Sequence, residues 1–377
     1  MGGAMILGAQ QRDLAELAAR GRLRRLAPRR GTDFSSNDYL ALAGAPRIAA
    51  ALHAALDRGV SIGSGGSRLL RGNDPEHEAL EDAAARFFAV EAALFFSSGY
   101  AANHALLATL PQRGDLIVHD ALVHASAHDG MRLSRAASVA AAHNDADAFD
   151  DAIAAWRAGG GAGTAWIAVE SLYSMDGDRA PLAALAEVAA RHDAMLLIDE
   201  AHATGVWGAD GRGLAAALDG REDVVTLKTF GKALGCEGAV VCGATVVRDM
   251  LVARARPFIF STAPSPLMAV AAREALAAIT DEPERRTRLH ALIDHAQTRL
   301  ATLGATASGS QIVPLVIGDD AETMRVAAAV QAAGFDVRGI RPPTVPSGTS
   351  RLRIALTLHV DADAVDALAR VLEGVLR

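Results

Sequence analysis

The sequence predicts an α/β protein with a mainly parallel central sheet flanked by helices, followed by a smaller C-terminal α+β domain. Three observations predict it. Short, near-continuous apolar runs such as TAWIAVE and AMLLID alternate with helical patterns, the signature of a sheet buried on both faces. Polar residues collect at the carboxyl ends of these runs, where open α/β sheets place their sites. Past a long helical stretch the pattern changes to mixed strands and helices, and 377 residues is ample for two units.

The elements follow in order. MGGAMILGAQQRD has a short apolar patch with no basic region before it, so it reads as a disordered start and not as a signal peptide. LAELAARGRLRRL, residues 14–26, predicts a helix. FSSNDYLAL (34–42) precedes a helix near 46–58, and a Gly/Ser stretch runs from Gly63 to Gly66. Asp74 before Pro75 reads as an N-cap followed by proline at the first helical position. Strands are expected at 93–96, 115–118, 164–170, 194–199, 224–227 and 238–243, with helices near 100–109, 182–192 and 246–255. One long helical pattern covers about 265 to 302. IVPLVIG, FDVRGI and RLRIALTL then predict strands, with helices near 321–333 and 361–376. The expected division is an N-terminal helix and arm over 1–45, a large domain over 46–275 and a small C-terminal domain over 276–377.

Composition narrows the function. Apolar residues make up 51% and charged residues 21%, the balance of a soluble globular protein. The net charge is −7 with no long basic run, which argues against a nucleic-acid partner. No apolar stretch approaches the ~20 residues that span a bilayer, so no membrane partner is expected and the cytoplasm is the expected location. Cys236 and Cys242 cannot make a disulfide framework, have no set of metal-site partners, and read as small buried residues. No metal is expected.

Several residues suit chemistry. Lys232 follows Thr229-Phe230-Gly231 directly after the strand VVTL, and a desolvated lysine can form imines. Most lysines are surface charges, but this chain has very few, and Lys228 and Lys232 lie four residues apart at a strand end. Asp199 ends the strand in LLIDEAHATG; buried there it needs a positive partner, which a protonated pyridine nitrogen would supply. His202, three residues on, could reach the same ring. Ser97, Ser98 and Gly99 of SSGYAAN stand between a strand and a helix, and helix N-termini bind anions. The Gly63–Ser67 stretch lacks the GK[ST] of a P-loop. His124 could stack on a flat ring, or serve only as a structural hydrogen-bonder. Ser174 of LYSMDGD could donate to a ring oxygen, or be an ordinary loop serine. Arg351 and Arg353 share one strand face, and either could grip a carboxylate. The RPPTVP segment before them is stiffened by three prolines.

The order and wording of NDYL, GSGGSRLLRGNDPEHEALE, SSGYAAN, HASAHDG, SMDGD, DEAHATG, TFGKALG, FSTA and RPPTVPSGTSRLRI resemble the α-oxoamine synthases. These are fold-type-I transferases that use pyridoxal 5'-phosphate (PLP), and the resemblance runs from about residue 34 to 377. It implies that Lys232 forms the Schiff base with PLP, Asp199 pairs with the pyridine nitrogen and His124 stacks on the ring. His202 and Ser174 would approach the phenolic oxygen, and Gly99, Tyr100 and Thr229 would hold the phosphate. Family members often have phenylalanine where this chain has Tyr100. Ser261 and Thr262 of FSTA would reach the phosphate of a neighbouring subunit, so the resemblance implies a homodimer with shared sites. Arg353 would bind the amino-acid carboxylate, and Asn37, Arg24 and Thr344 would contact substrate. The implied reaction is a decarboxylative condensation of an amino acid with an acyl thioester. GSGGSRLLRGN and IRPPTVPSGTSRLRI favour the members that join L-alanine to a pimeloyl thioester over those that use glycine with succinyl-CoA or acetyl-CoA.

Overall fold

The computed structural model describes residues 6–377. Seven strands form the main sheet, in the order Ala92–Phe96, Ala239–Gly243, Val224–Thr229, Met195–Asp199, Ala165–Glu170, Leu116–Asp120 and Ala137–Ala141. Ala239–Gly243 runs antiparallel to both neighbours, and the other pairings are parallel.

The apolar runs are continuous because both faces of the sheet are covered. Ile117, Trp166 and Leu227 pack with Leu106, Met131 and Leu251 on one side. Leu116, Val118 and Ile167 pack with Phe149, Ile153 and Leu185 on the other. Neighbours in one strand thus enter opposite cores, as the two-residue period of a strand requires. The edge strand Ala137–Ala141 was not anticipated. Four of its five residues are exposed, and its sequence, ASVAA, is mostly alanine, without the bulky β-branched run that marks a buried strand.

Helix boundaries follow local chemistry. Pro75–Phe88 begins as expected: the Asp74 carboxylate accepts the Glu76 N–H at 2.9 Å, a cap worth about 1 kcal/mol. Three helices were missed, Ala125–Arg132, Ala146–Ala158 and the single turn Arg256–Ile259. Ala146–Ala158 starts at Asp145, which accepts the N–H groups of Asp147 and Ala148. The expected helix over 265–302 is two helices, Pro266–Asp281 and Glu284–Ala301. Pro283 separates them, since proline offers no N–H to continue the ladder. The first helix is Gly8–Ala19, earlier than the expected 14–26, and it stops at Gly21, whose φ is +64°. Residues 8–13 of the expected disordered start are therefore helical, and residues 1–5 of it lie outside the described residues.

The chain divides into two compact units. One is Asn37–His290 and holds the main sheet. The other joins the segment ending at Ser36 to Ala291–Arg377. It contains an antiparallel sheet in the order Arg338–Ile340, Ser350–Ala355, Ile312–Gly318, and a short parallel pair, Thr32–Asp33 with Phe335–Asp336. FDVRGI is thus split between two sheets. Among the described residues no helix is long and apolar enough to cross a membrane. Cys242 is buried in its strand and Cys236 is half-buried; both are free.

Candidate active site

The site grows from the carboxyl ends of three adjacent strands. Asp199 ends Met195–Asp199, Glu170 ends Ala165–Glu170, and Thr229 ends Val224–Thr229. One pocket is lined by His124, Glu170, Asp199, Asn103 and Leu227.

Asp199 is held by two donors. Asn103 Nδ2 lies 2.6 Å from Oδ2, and the Ala201 N–H donates to Oδ1 at 2.8 Å. Asn103 also donates to Ser126 Oγ at 3.1 Å, and Ser126 Oγ is 2.8 Å from His124 Nδ1. One hydrogen-bonded chain therefore runs from the strand-end carboxylate to the imidazole above it. Burial pushes the His124 imidazole below its usual range; Asp199 pulls it up and the Lys232 ammonium pushes it further down. Lys232 sits half-buried in the turn after Thr229, within electrostatic reach of His124 and Glu170.

His202 is buried, with Nδ1 2.7 Å from the Tyr39 hydroxyl. That hydroxyl also donates to Asn37 Oδ1 at 3.0 Å. A phenol has one proton, so His202 Nδ1–H is the donor to Tyr39. Ser174 is half-buried in its turn, and its backbone N–H approaches the Glu170 carboxyl group.

Gly99 and Tyr100 open the helix Gly99–Thr109, whose N-cap Ser98 accepts the Ala101 N–H at 3.1 Å. The first-turn amides of a helix have no intrahelical acceptor. A Cβ on Gly99 would stand 3.8 Å from Thr229 Oγ1, so this helix end abuts the threonine. The Thr229 hydroxyl donates to the Gly238 carbonyl at 3.1 Å and accepts the Gly231 N–H at 3.2 Å. The Tyr100 ring is exposed and its hydroxyl pairs with Asp129. Ser261 and Thr262 are exposed between the helices Arg256–Ile259 and Pro266–Asp281, beside an exposed Phe260.

The remaining residues lie in the second unit, apart from Asn37. Arg24 donates to Thr344 Oγ1 at 3.3 Å. Arg353 is buried in Ser350–Ala355, opposite Arg338 and Pro314 in register. Arg351 is also buried, and its Nε donates to the Thr349 carbonyl at 2.9 Å.

Lys228 takes another role. It is fully buried, with Nζ 2.7 Å from Glu200 Oε2, 3.4 Å from Asp219 Oδ2 and 2.9 Å from the Arg212 carbonyl. Burial would lower its pKa, but Glu200 and Asp219 hold it above the usual lysine value. It is a structural ammonium, fully buried, whereas Lys232 is half-buried. Sequence reasoning missed Glu170, Asn103 and Tyr39. Glu170 had a visible signal, since TAWIAVE ends in a carboxylate just as AMLLID does.

This donor set fits PLP. The helix end at Gly99 with Thr229 suits a phosphate, Asp199 suits a ring N–H, and Lys232 follows Thr229 within electrostatic reach of His124 and Glu170.

Comparisons agree with the fit. The model of the class I and II aminotransferases matches residues 29–372. The chain is 46% identical to an 8-amino-7-oxononanoate synthase of Anaeromyxobacter dehalogenans (strain 2CP-1 / ATCC BAA-258) over 362 residues, which is 95% of this chain and 89% of that one. Among solved structures it is similar to Sphingomonas wittichii serine palmitoyltransferase, with 28% identity and a TM-score of 0.89 over 99% of this chain and 98% of that chain. It is also similar to serine palmitoyltransferase from S. paucimobilis with a bound PLP–myriocin aldimine, with 25% identity and a TM-score of 0.88 over 99% and 98%.

Proposed function

The chain belongs to the class I and II aminotransferase family, and from that premise we propose that it joins L-alanine to a pimeloyl thioester, releasing carbon dioxide and forming 8-amino-7-oxononanoate for biotin biosynthesis. The observation that carries this reading is a pocket lined by Asp199 and His124, with Lys232 within electrostatic reach, in a chain 46% identical to an 8-amino-7-oxononanoate synthase over 95% of its length. The cofactor is PLP.

Each residue has a proposed task. Lys232 attaches the cofactor, Asp199 pairs with the ring nitrogen, and His124, kept neutral by burial, covers the ring face. His202 and Ser174 approach the phenolic oxygen. Gly99, Tyr100 and Thr229 hold the phosphate, completed by Ser261 and Thr262 of the partner subunit. The exposure of those two residues and of Phe260 in one chain supports a homodimer. Arg353 grips the amino-acid carboxylate, and Asn37, Arg24 and Thr344 bind substrate. A cytoplasmic location suits a supply of CoA or carrier-protein thioesters.

When bound, PLP supplies an electron sink for charge at alanine's α-carbon. The protein's part is to move protons and to orient. Lys232 Nζ takes the α-proton of alanine and returns a proton to that carbon after decarboxylation. A bond forms between the α-carbon and the thioester carbonyl carbon, the carbon–sulfur bond breaks, and the thiol leaves.

Thiol release by the PLP-loaded protein tests this. Alanine with pimeloyl-CoA is expected to outpace glycine with succinyl-CoA or acetyl-CoA. Release dominated by glycine with a short acyl-CoA would assign a different substrate pair to the same residues.

A further inference from the structure

Glu170 and Asp199 are register partners on adjacent parallel strands. Side chains at such positions leave the sheet on one side, and both residues line the same pocket. Glu170 is 3% exposed. Neighbouring carboxyl groups disfavour each other's charge, and Glu170 is the more deeply buried of the two.

The hydrogen bonds decide which keeps its charge. Asp199 has two donors, one on each oxygen, at 2.6 and 2.8 Å. Glu170 Oε1 is buried with no hydrogen-bond partner, although the backbone N–H groups of His124 and Ser174 approach its carboxyl group. A bare anionic oxygen is costly in that setting, whereas a protonated one is simply an O–H facing the pocket. Burial and the neighbouring Asp199 push the Glu170 carboxyl well above the usual carboxylate range and outweigh Lys232 and the His124 and Ser174 backbone N–H groups, which oppose them.

We propose that Glu170 is a positioning residue acting as a neutral carboxylic acid: it holds the His124 backbone and the Ser174 turn at the strand end, and leaves Asp199 as the pocket's one carboxylate. This rests on the reading of the pocket as a PLP site. Glu170 deepens that reading by setting two of the groups assigned to the ring without touching the reacting atoms.

The test compares Glu170→Gln and Glu170→Ala with wild-type holoenzyme. The readouts are PLP affinity by equilibrium dialysis, the visible spectrum of bound cofactor across pH, and melting temperature as a folding control. Glutamine mimics the neutral acid, so E170Q is expected to bind PLP within about threefold of wild type with the wild-type spectrum and pH dependence, while E170A loses about tenfold or more. E170Q as weak as E170A would overturn the neutral state, and E170A equal to wild type would overturn the positioning role. If E170A does not fold, infrared difference spectra of wild type and E170Q decide. A protonated carboxyl band lost in E170Q is expected, and no such loss contradicts the proposal. A wild-type protein that takes up no PLP would instead overturn the functional reading beneath it.

Discussion

Lys228 Nζ lies 2.7 Å from Glu200 Oε2, with both side chains fully buried. Breaking a buried pair strands the remaining charge. Lys228→Met is therefore expected to cost about 3–5 kcal/mol of unfolding free energy, while Lys232→Ala changes stability by about 1 kcal/mol or less. Urea melts of both proteins check this. Equal losses would contradict the division of labour between the two lysines.

His143 pins two site loops together. Its Nδ1 lies 2.8 Å from Asp120 Oδ1 and its Nε2 lies 2.7 Å from Asp178 Oδ2. Asp120 begins the loop to His124, and Asp178 closes the turn holding Ser174. Burial alone would lower the imidazole's pKa, but the two carboxylates push it up to about 10. A raised folded pKa stabilises fully below the unfolded value of about 6.5 and loses that effect as pH rises toward 10. The melting-temperature gap between wild type and His143→Gln is thus expected to be widest below pH ~6.5 and to shrink toward pH ~10. A gap independent of pH would show that His143 is not held as a cation.

Thr229 abuts the helix end assigned to the phosphate. Thr229→Val is expected to weaken PLP binding about tenfold, because the hydroxyl proton that the Gly238 carbonyl accepts here would turn to the phosphate, one hydrogen bond to a charged group. Pyridoxal lacks the phosphate, so it should bind wild type and T229V alike. An equal penalty on both ligands would place the effect outside the phosphate site.

Tyr39 ties Asn37 to His202. Tyr39→Phe removes one hydrogen bond from each and is expected to cost about 1–3 kcal/mol of stability. It should also raise the KM for the acyl thioester and shift the pH dependence of the cofactor spectrum. A loss of stability alone would reduce Tyr39 to a packing residue.

Much of this was legible in the sequence because the chemistry sits at strand ends. A run such as AMLLID states both its burial and the position of its terminal carboxylate. Lys232, Asp199 and His124 could each be singled out this way, and the wording of the motifs supplied their proposed tasks. Strand Ala137–Ala141 was silent because ASVAA is mostly alanine, which reads as helix filler as readily as strand, and its exposed face needs no bulky apolar side chains. The split at Pro283 was visible in the sequence, where DEPERRTR interrupts the apolar pattern, and joining the helical turns on either side overlooked that break. Asn103 and Tyr39 were missed for a different reason: their roles are contacts across 96 and 163 residues, which no local pattern encodes.

The most direct measurement traps the cofactor. The chain has only two lysines, Lys228 and Lys232. Borohydride reduction of the PLP-loaded protein, followed by peptide mass mapping, should put one pyridoxyl phosphate on the peptide containing Lys232 and none on Lys228. A tag on Lys228, on the N-terminal amine, or nowhere would contradict Lys232 as the attachment point.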